Sequence, residues 1–537
     1  MIADIQLVVC LLIVIAVVAI VARRLNIPSP ILLVLVGVVL ALLPGLPTLE
    51  LAPDILLLLV LPPVIYSAAV AMSWREFRFN LRPISLLAIG AVIFTTAAVA
   101  LACHWLLNLS WGVGFVLGAI VSPPDAVAPL AIARRLNLPR RITIILEGEG
   151  LANDASALIL YRFAVAAVGG GLFSFSHAAG TFLAIVAGEL AWGIAVGWTM
   201  LRLRRWVADP RVEIVLSVLT PFLAYWPPEH LGGSGVLATV TAGLYISWNG
   251  LRLISAATRL QGIFFWDFLI YVIEGLVFLL TGLQARPVLA GIRNYTAEEL
   301  LVSGAVVSVV VLLTRFAWIY PATYLPRWLI PAISRRDPAP PWQWPFMLGF
   351  TGVRGIVSLA AALAIPLTTA DGMPFPQRDL LLLLAFAVVL ITLVGQGLTL
   401  PYLITALKLS DAGLRENGER RIEELRARIL AIEAVLERVR ALAADGRIPD
   451  AVAERLTIHH TNRLELVESR SIEDERHQER VRLTDEVELR LLSEEREAIN
   501  QLYVQGRLKD ETRRKIEREL DLREANLASA RSDTATL

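Results

Sequence analysis

The stretch GAIVSPPDAVAPLAIARR (residues 118–135) starts as an apolar run and then meets Ser122, Pro123, Pro124 and Asp125. Two prolines in succession remove two backbone donors and cannot continue a helix, so the carbonyls one turn earlier lose their partners. Broken backbone at mid-membrane survives only where it is buried in protein or lines a watery cavity. Freed carbonyls beside the Asp125 carboxylate make an all-oxygen setting suited to a hard cation. The plainer alternative is a proline kink with a capping Asp.

The rest of the chain supports a membrane setting. It has 537 residues, 56% of them hydrophobic, and a mean hydropathy of +0.64, far from a soluble average. Residues 409–537 hold more than half of the charged side chains. Two domains follow: a membrane domain over 1–408 and a charged, helical, cytoplasmic domain over 409–537. Cys10 and Cys103 both sit in apolar runs, so neither a disulfide framework nor a zinc site is indicated. No cofactor and no nucleic-acid partner are expected; the bilayer is the partner.

Runs able to cross about 30 Å of hydrocarbon fall near 5–22, 30–46, 52–72, 83–106, 111–133, 142–168, 177–201, 211–227, 232–249, 262–285, 298–320, 344–368 and 379–407. Alternate loops are rich in Arg, from Arg23-Arg24 to Arg335-Arg336, and the intervening ones are nearly free of basic residues. The positive-inside rule makes the Arg-bearing loops cytoplasmic. About thirteen spans then put the N-terminus outside and the tail inside. The first run has Asp4 before it and Arg23-Arg24 after it, opposite to a cleaved secretory signal.

Ionisable residues within spans are functional candidates. In GEGLANDASALILYRFA (residues 148–164), Glu149 and Asn153 share a helix face and Asp154 lies about 100° further round. Burial and a second nearby carboxylate both favour the neutral form of such a group, which suits exchange of a proton for a cation. In TGVRGIVSLAAALAIP (residues 351–366), Gly352 and Gly355 bracket Arg354 and allow an unwound turn. Glu149 is the expected partner of Arg354, and Glu274 of Arg315. The two broken spans lie seven apart, which fits two inverted six-helix repeats joined by a linker helix. GGSG (residues 232–235) reads as small-residue helix packing, because no later span supplies a His to activate Ser234. That disfavours an intramembrane hydrolase. A cation channel is the other alternative, but it calls for a repeated filter or a ring of charge.

SPPDAVAP, GEGLANDASALILYRFA and GVRGIVSLAAALAIP, in this order and spacing, resemble the monovalent cation:proton antiporter-1 family, over about residues 1–408. The resemblance implies an all-α polytopic homodimer in the plasma (inner) membrane, a core domain moving against a dimerisation domain, and exchange of sodium or a similar ion for a proton. It implies that Asp154 binds the ion and the proton, that Asn153 is the neutral member of an Asn-Asp pair suited to electroneutral exchange, and that Asp125 belongs to the broken helix. Glu149 and Arg354 match a buried ion pair of the core. Three positions depart from the family pattern: Gly150 where a Ser is usual, Ser67 where some members are acidic, and Ala126 where many have Pro. The first two remove oxygen ligands and leave the choice among sodium, potassium and lithium open.

In the tail, Ile422, Leu425, Ile429, Ile432, Leu436 and Val439 form an a/d seam. ADGRIPD (residues 444–450) then breaks the helix, so a helical hairpin or small bundle is expected, dimerising or packing on itself, with a regulatory role.

Overall fold

The computed structural model describes residues 2–44, 52–168, 175–207, 209–250, 253–292, 295–369, 371–471 and 475–532. Regular structure among these residues is helical, apart from one isolated bridge between Thr368 and Pro374. The chain divides into two units, Met1–Leu409 and Ser410–Leu537.

In the first unit, seven helices of the described residues are long and apolar enough to cross a membrane on their own. Two further segments are interrupted part-way. Trp111–Val121 starts on Ser110, whose side chain accepts from the Val113 amide, and stops at the two prolines; the chain resumes as Val127–Arg135. Gln343–Phe350 likewise stops at Thr351 and resumes as Ile356–Leu363. The expected interruptions at 122–125 and 352–355 are therefore present.

Close packing is carried by small residues where apolar side chains gain nothing from leaving lipid. Ser29–Leu42 and Ala256–Leu283 meet at Gly37 and Gly282, where a Cβ on Gly37 would lie 2.9 Å from the Gly282 Cα. At the Arg-rich ends, Asp337 gathers three arginines from separate helices: Arg82 at 2.6 Å, Arg141 at 2.7 Å and Arg327 at 2.7 Å. Burial alone would raise this carboxyl, but the hydrogen bond and charge of Arg141 and the charge of Arg327 outweigh it and hold it below the ordinary Asp value. A depressed folded value means the clamp is complete above the unfolded value near pH 4 and is lost as pH falls through the folded one. Asp337→Asn is expected to cost about 1–3 kcal/mol at neutral pH and nothing in strong acid, as read by melting curves against pH.

The second unit contains Leu409–Ala444, Asp450–Ser471, Glu475–Val504 and Asp510–Ser532, the first beginning at the boundary residue. Ile432, Leu436 and Val439 are buried, whereas Ile422 at the other end of the expected seam is exposed. The break at 444–450 is present, with Gly446 at φ +67. A second turn repeats it: GRIPD (446–450) and GRLKD (506–510) each place a left-handed Gly before an Asp that opens the next helix. The last two helices are tied by Arg496, which bonds Asp521 at 2.8 Å and Glu524 at 2.7 Å.

Candidate ion site

The two interrupted segments cross and complete each other's backbone bonding. The Asp125 amide donates to the Val353 carbonyl at 2.7 Å. Ser122 Oγ donates to the Ala119 carbonyl at 3.1 Å, replacing the amide that Pro123 lacks. Arg354 Nε donates to the Val121 carbonyl at 2.8 Å and its Nη2 to Ser122 at 3.4 Å, with Nη1 on Gly352. Asn153 Nδ2 donates to the Pro124 carbonyl at 2.7 Å. Asp125 Oδ1 accepts from the amide of Val127, the first residue of the second half-helix, at 2.8 Å. The Arg354 amide donates to Thr392 Oγ1 at 3.0 Å, in a wide π turn of a neighbouring helix.

This pattern corrects the expected Glu149–Arg354 pair. Glu149, 1% exposed, instead forms a two-pronged pair with Arg315, 3% exposed, at 2.6 and 2.8 Å. A guanidinium is donor-only, so Arg354 serves where the proline break leaves carbonyls without donors. Arg315, mid-way along Ala297–Leu329, is the arginine that reaches a carboxylate. The expected Glu274–Arg315 pair falls for the same reason. The freed carbonyls of Val121, Ser122 and Pro124 are likewise engaged by Arg354 and Asn153.

A cavity of about 270 Å³ opens beside the crossing and is lined by Asp125, Asp154, Gly150, Glu274, Ser358 and Gly355. Asp154 is buried and makes no hydrogen bond or ion pair among the described residues, and Asp125 is half-buried. Ser358, which sequence reasoning missed, is buried, and among the described residues its Oγ has no partner, nor has Oδ1 of Asn153. Ser358 supplies a hydroxyl to the cavity that holds Gly150. Ser67 lines a different cavity. Among the described residues no group of three or more His, Cys, Asp or Glu side chains is gathered to hold a metal.

Gly355 has a steric reason. A Cβ there would collide with the Asp125 carboxylate. Gly355→Ala is expected to displace Asp125 at a strain cost of about 1–3 kcal/mol and to cut transport more than it lowers the melting temperature; unchanged transport rates in vesicles would contradict this.

Arg134, Arg140 and Glu147 lie at one end of the cavity. Further along the Asp154 helix, Arg162 pairs with Glu229 and donates to the Gly233 carbonyl at 2.6 Å. The GGSG segment packs closely, as expected, with Gly235 against Tyr225 of the Pro210–His230 helix, and it is also tied by hydrogen bonds: buried Glu189 accepts from the Leu237 amide at 3.0 Å and the Ser234 amide at 2.6 Å. Its hydroxyl also lies on Glu189, at 3.1 Å.

Two interrupted helices crossing beside buried carboxylates are the architecture of a secondary transporter. The family model described as "Sodium/hydrogen exchanger, transmembrane" matches residues 11–406. A Mycobacterium tuberculosis protein named as an uncharacterised Na(+)/H(+) exchanger is 32% identical over 517 residues, covering 94% of this chain and 93% of the relative. A sodium, potassium, lithium and rubidium/H(+) antiporter of Bacillus subtilis is 34% identical over 414 residues, covering 74% of this chain and 61% of the relative. The solved sodium proton antiporter MjNhaP1 of Methanocaldococcus jannaschii has the same fold, with a TM-score of 0.62 at 20% identity over 76% of this chain and 99% of that one. The chain belongs to the sodium/hydrogen exchanger family of multi-pass membrane transporters.

Proposed function

We propose that the protein exchanges one monovalent cation, sodium in the first place, for one proton, by competition of the two for Asp154. The observation that carries this is the state of Asp154 in the cavity beside the crossing. Glu149 is matched by Arg315, Arg354 is spent on backbone carbonyls, and Asp125, Asp154 and the half-buried Glu274 line the cavity. Asp154 is the buried one of these three and has no hydrogen bond or ion pair among the described residues, so a single sodium ion or a single proton neutralises it. Moving a bare carboxylate past an apolar barrier is costly, so only an occupied site crosses. Asp154 and Asp125 with the Ser358 hydroxyl form an oxygen-rich pocket of the kind a hard cation prefers. The names of the Bacillus and Methanocaldococcus relatives support the same cargo.

The cavity end carrying Arg134 and Arg140 is read as cytoplasmic, so this conformation faces inward, with Arg162 and Glu229 closing the far side. About thirteen spans in two inverted repeats, an outside N-terminus, a plasma-membrane location, a homodimer and a regulatory cytoplasmic tail complete the proposal. The test uses purified protein in proteoliposomes with an imposed pH gradient. Adding sodium, potassium or lithium is expected to dissipate the gradient saturably and without generating a potential. A steady conductance, or no cation-dependent proton movement, would contradict the proposal.

A further inference from the structure

A second cavity, about 1140 Å³, lies within the Met1–Leu409 unit between Leu61–Ala71, Pro210–His230, Val236–Gly250 and Ala256–Leu283. Its wall holds Arg204, 4% exposed, and Glu213, 3% exposed. Among the described residues Arg204 Nε and Nη2 have no hydrogen-bond partner, and neither has Glu213 Oε2. Nε and Nη2 share one edge of the guanidinium, the fork that takes two oxygens of one phosphate or carboxylate side by side. Glu213 lines the same cavity without filling that fork. Two buried groups of opposite charge, each with open valence and no mutual ion pair, are complementary to a ligand that carries both charges.

The surroundings narrow the ligand. Arg75 and Arg259, in the first turns of Trp74–Phe79 and Ala256–Leu283 and on the Arg-rich face of the sequence pattern, also line the cavity, which places it at the depth of lipid headgroups on that face. Its mouth reaches Ile263, 62% exposed, beside Phe264 at 76% on the same helix, an apolar exit suited to acyl chains. A phosphodiester satisfies the Arg204 fork but leaves Glu213 with a like charge. A quaternary ammonium has no N–H to offer Oε2, whereas a primary ammonium has three. We propose that this cavity seats the headgroup of a zwitterionic phospholipid with a primary ammonium, its phosphate on Arg204 and its ammonium on Glu213.

The test is melting of the purified full-length protein in detergent with added phosphatidylethanolamine, phosphatidylcholine, phosphatidylglycerol or soluble O-phosphoethanolamine. Native mass spectrometry counts retained lipid in parallel. Phosphatidylethanolamine is expected to raise the melting temperature at about tenfold lower concentration than the other two lipids. The soluble compound is expected to have no effect at matched concentration. Arg204→Gln should abolish the response to every lipid, and Glu213→Gln should bring phosphatidylethanolamine down to the level of phosphatidylcholine. Ile263→Trp, which narrows the mouth and leaves both charges in place, should lose the lipid response with unchanged melting in detergent alone. Equal responses to the three lipids, or an undiminished preference in Glu213→Gln, would overturn the proposal. A response to O-phosphoethanolamine as large as that to the lipid would also overturn it, in favour of a free metabolite.

Discussion

Asp154→Asn is expected to reduce cation-driven proton movement to the level of protein-free vesicles. The amide is nearly isosteric with the carboxylate, and Asp154 makes no hydrogen bond or ion pair among the described residues that the change would break. Folding should therefore persist, with a melting temperature close to that of the unaltered protein. What disappears is the carboxylate of the cavity that is buried and has no hydrogen bond or ion pair among the described residues, whereas Asp125 and Glu274 are half-buried. An amide neither takes up nor releases a proton at physiological pH, and it offers a cation no net charge. The barrier that forbids an empty site from crossing then no longer applies, so the variant moves without coupling. Full exchange in this variant would remove Asp154 from the mechanism.

The second large effect is on stability. Glu149→Gln is expected to cost about 3–5 kcal/mol, because it leaves the Arg315 guanidinium buried without its counter-charge. Arg315→Gln should cost a similar amount for the converse reason. The double replacement should be less damaging than the sum, since two neutral amides remain where a charge was stranded. Arg354→Gln should behave differently. Its losses are donors to the Val121 and Ser122 carbonyls, and replacing Glu149 should not relieve them. Melting temperatures of the single and double variants in one detergent read this directly. Relief of Arg354→Gln by Glu149→Gln, with none for Arg315→Gln, would reinstate the pair that spacing alone suggested.

The interruptions were legible because their causes are local. Pro123-Pro124 cannot donate, and Gly352 and Gly355 tolerate an unwound turn, so both breaks could be placed to within a residue or two. Asp154 was legible because a carboxylate two turns into an apolar helix has few bland explanations. The pairing of Glu149 was not legible. Arg315 and Arg354 both lie in apolar runs, and sequence gives no distance between helices remote in the chain. One clue was available: Arg354 sits inside a broken segment, where carbonyls compete for its donors, while Arg315 sits in an intact helix that has none to spare. Ser358 and Glu189 were missed because a single Ser or Glu in an apolar run carries no pattern until its neighbours are known. In the tail, the heptad spacing located the helix but not which end of the seam is covered, since the period is the same at both ends.

The central claim, that cation and proton compete for one carboxylate, is tested most directly by measuring the apparent sodium affinity in proteoliposomes across pH. Competition at a single site predicts that the sodium concentration for half-maximal exchange rises as pH falls, approaching tenfold per pH unit, a slope of about 1.4 kcal/mol per unit, with the maximal rate at saturating sodium unchanged. An affinity independent of pH, with acid lowering only the maximal rate, would contradict it.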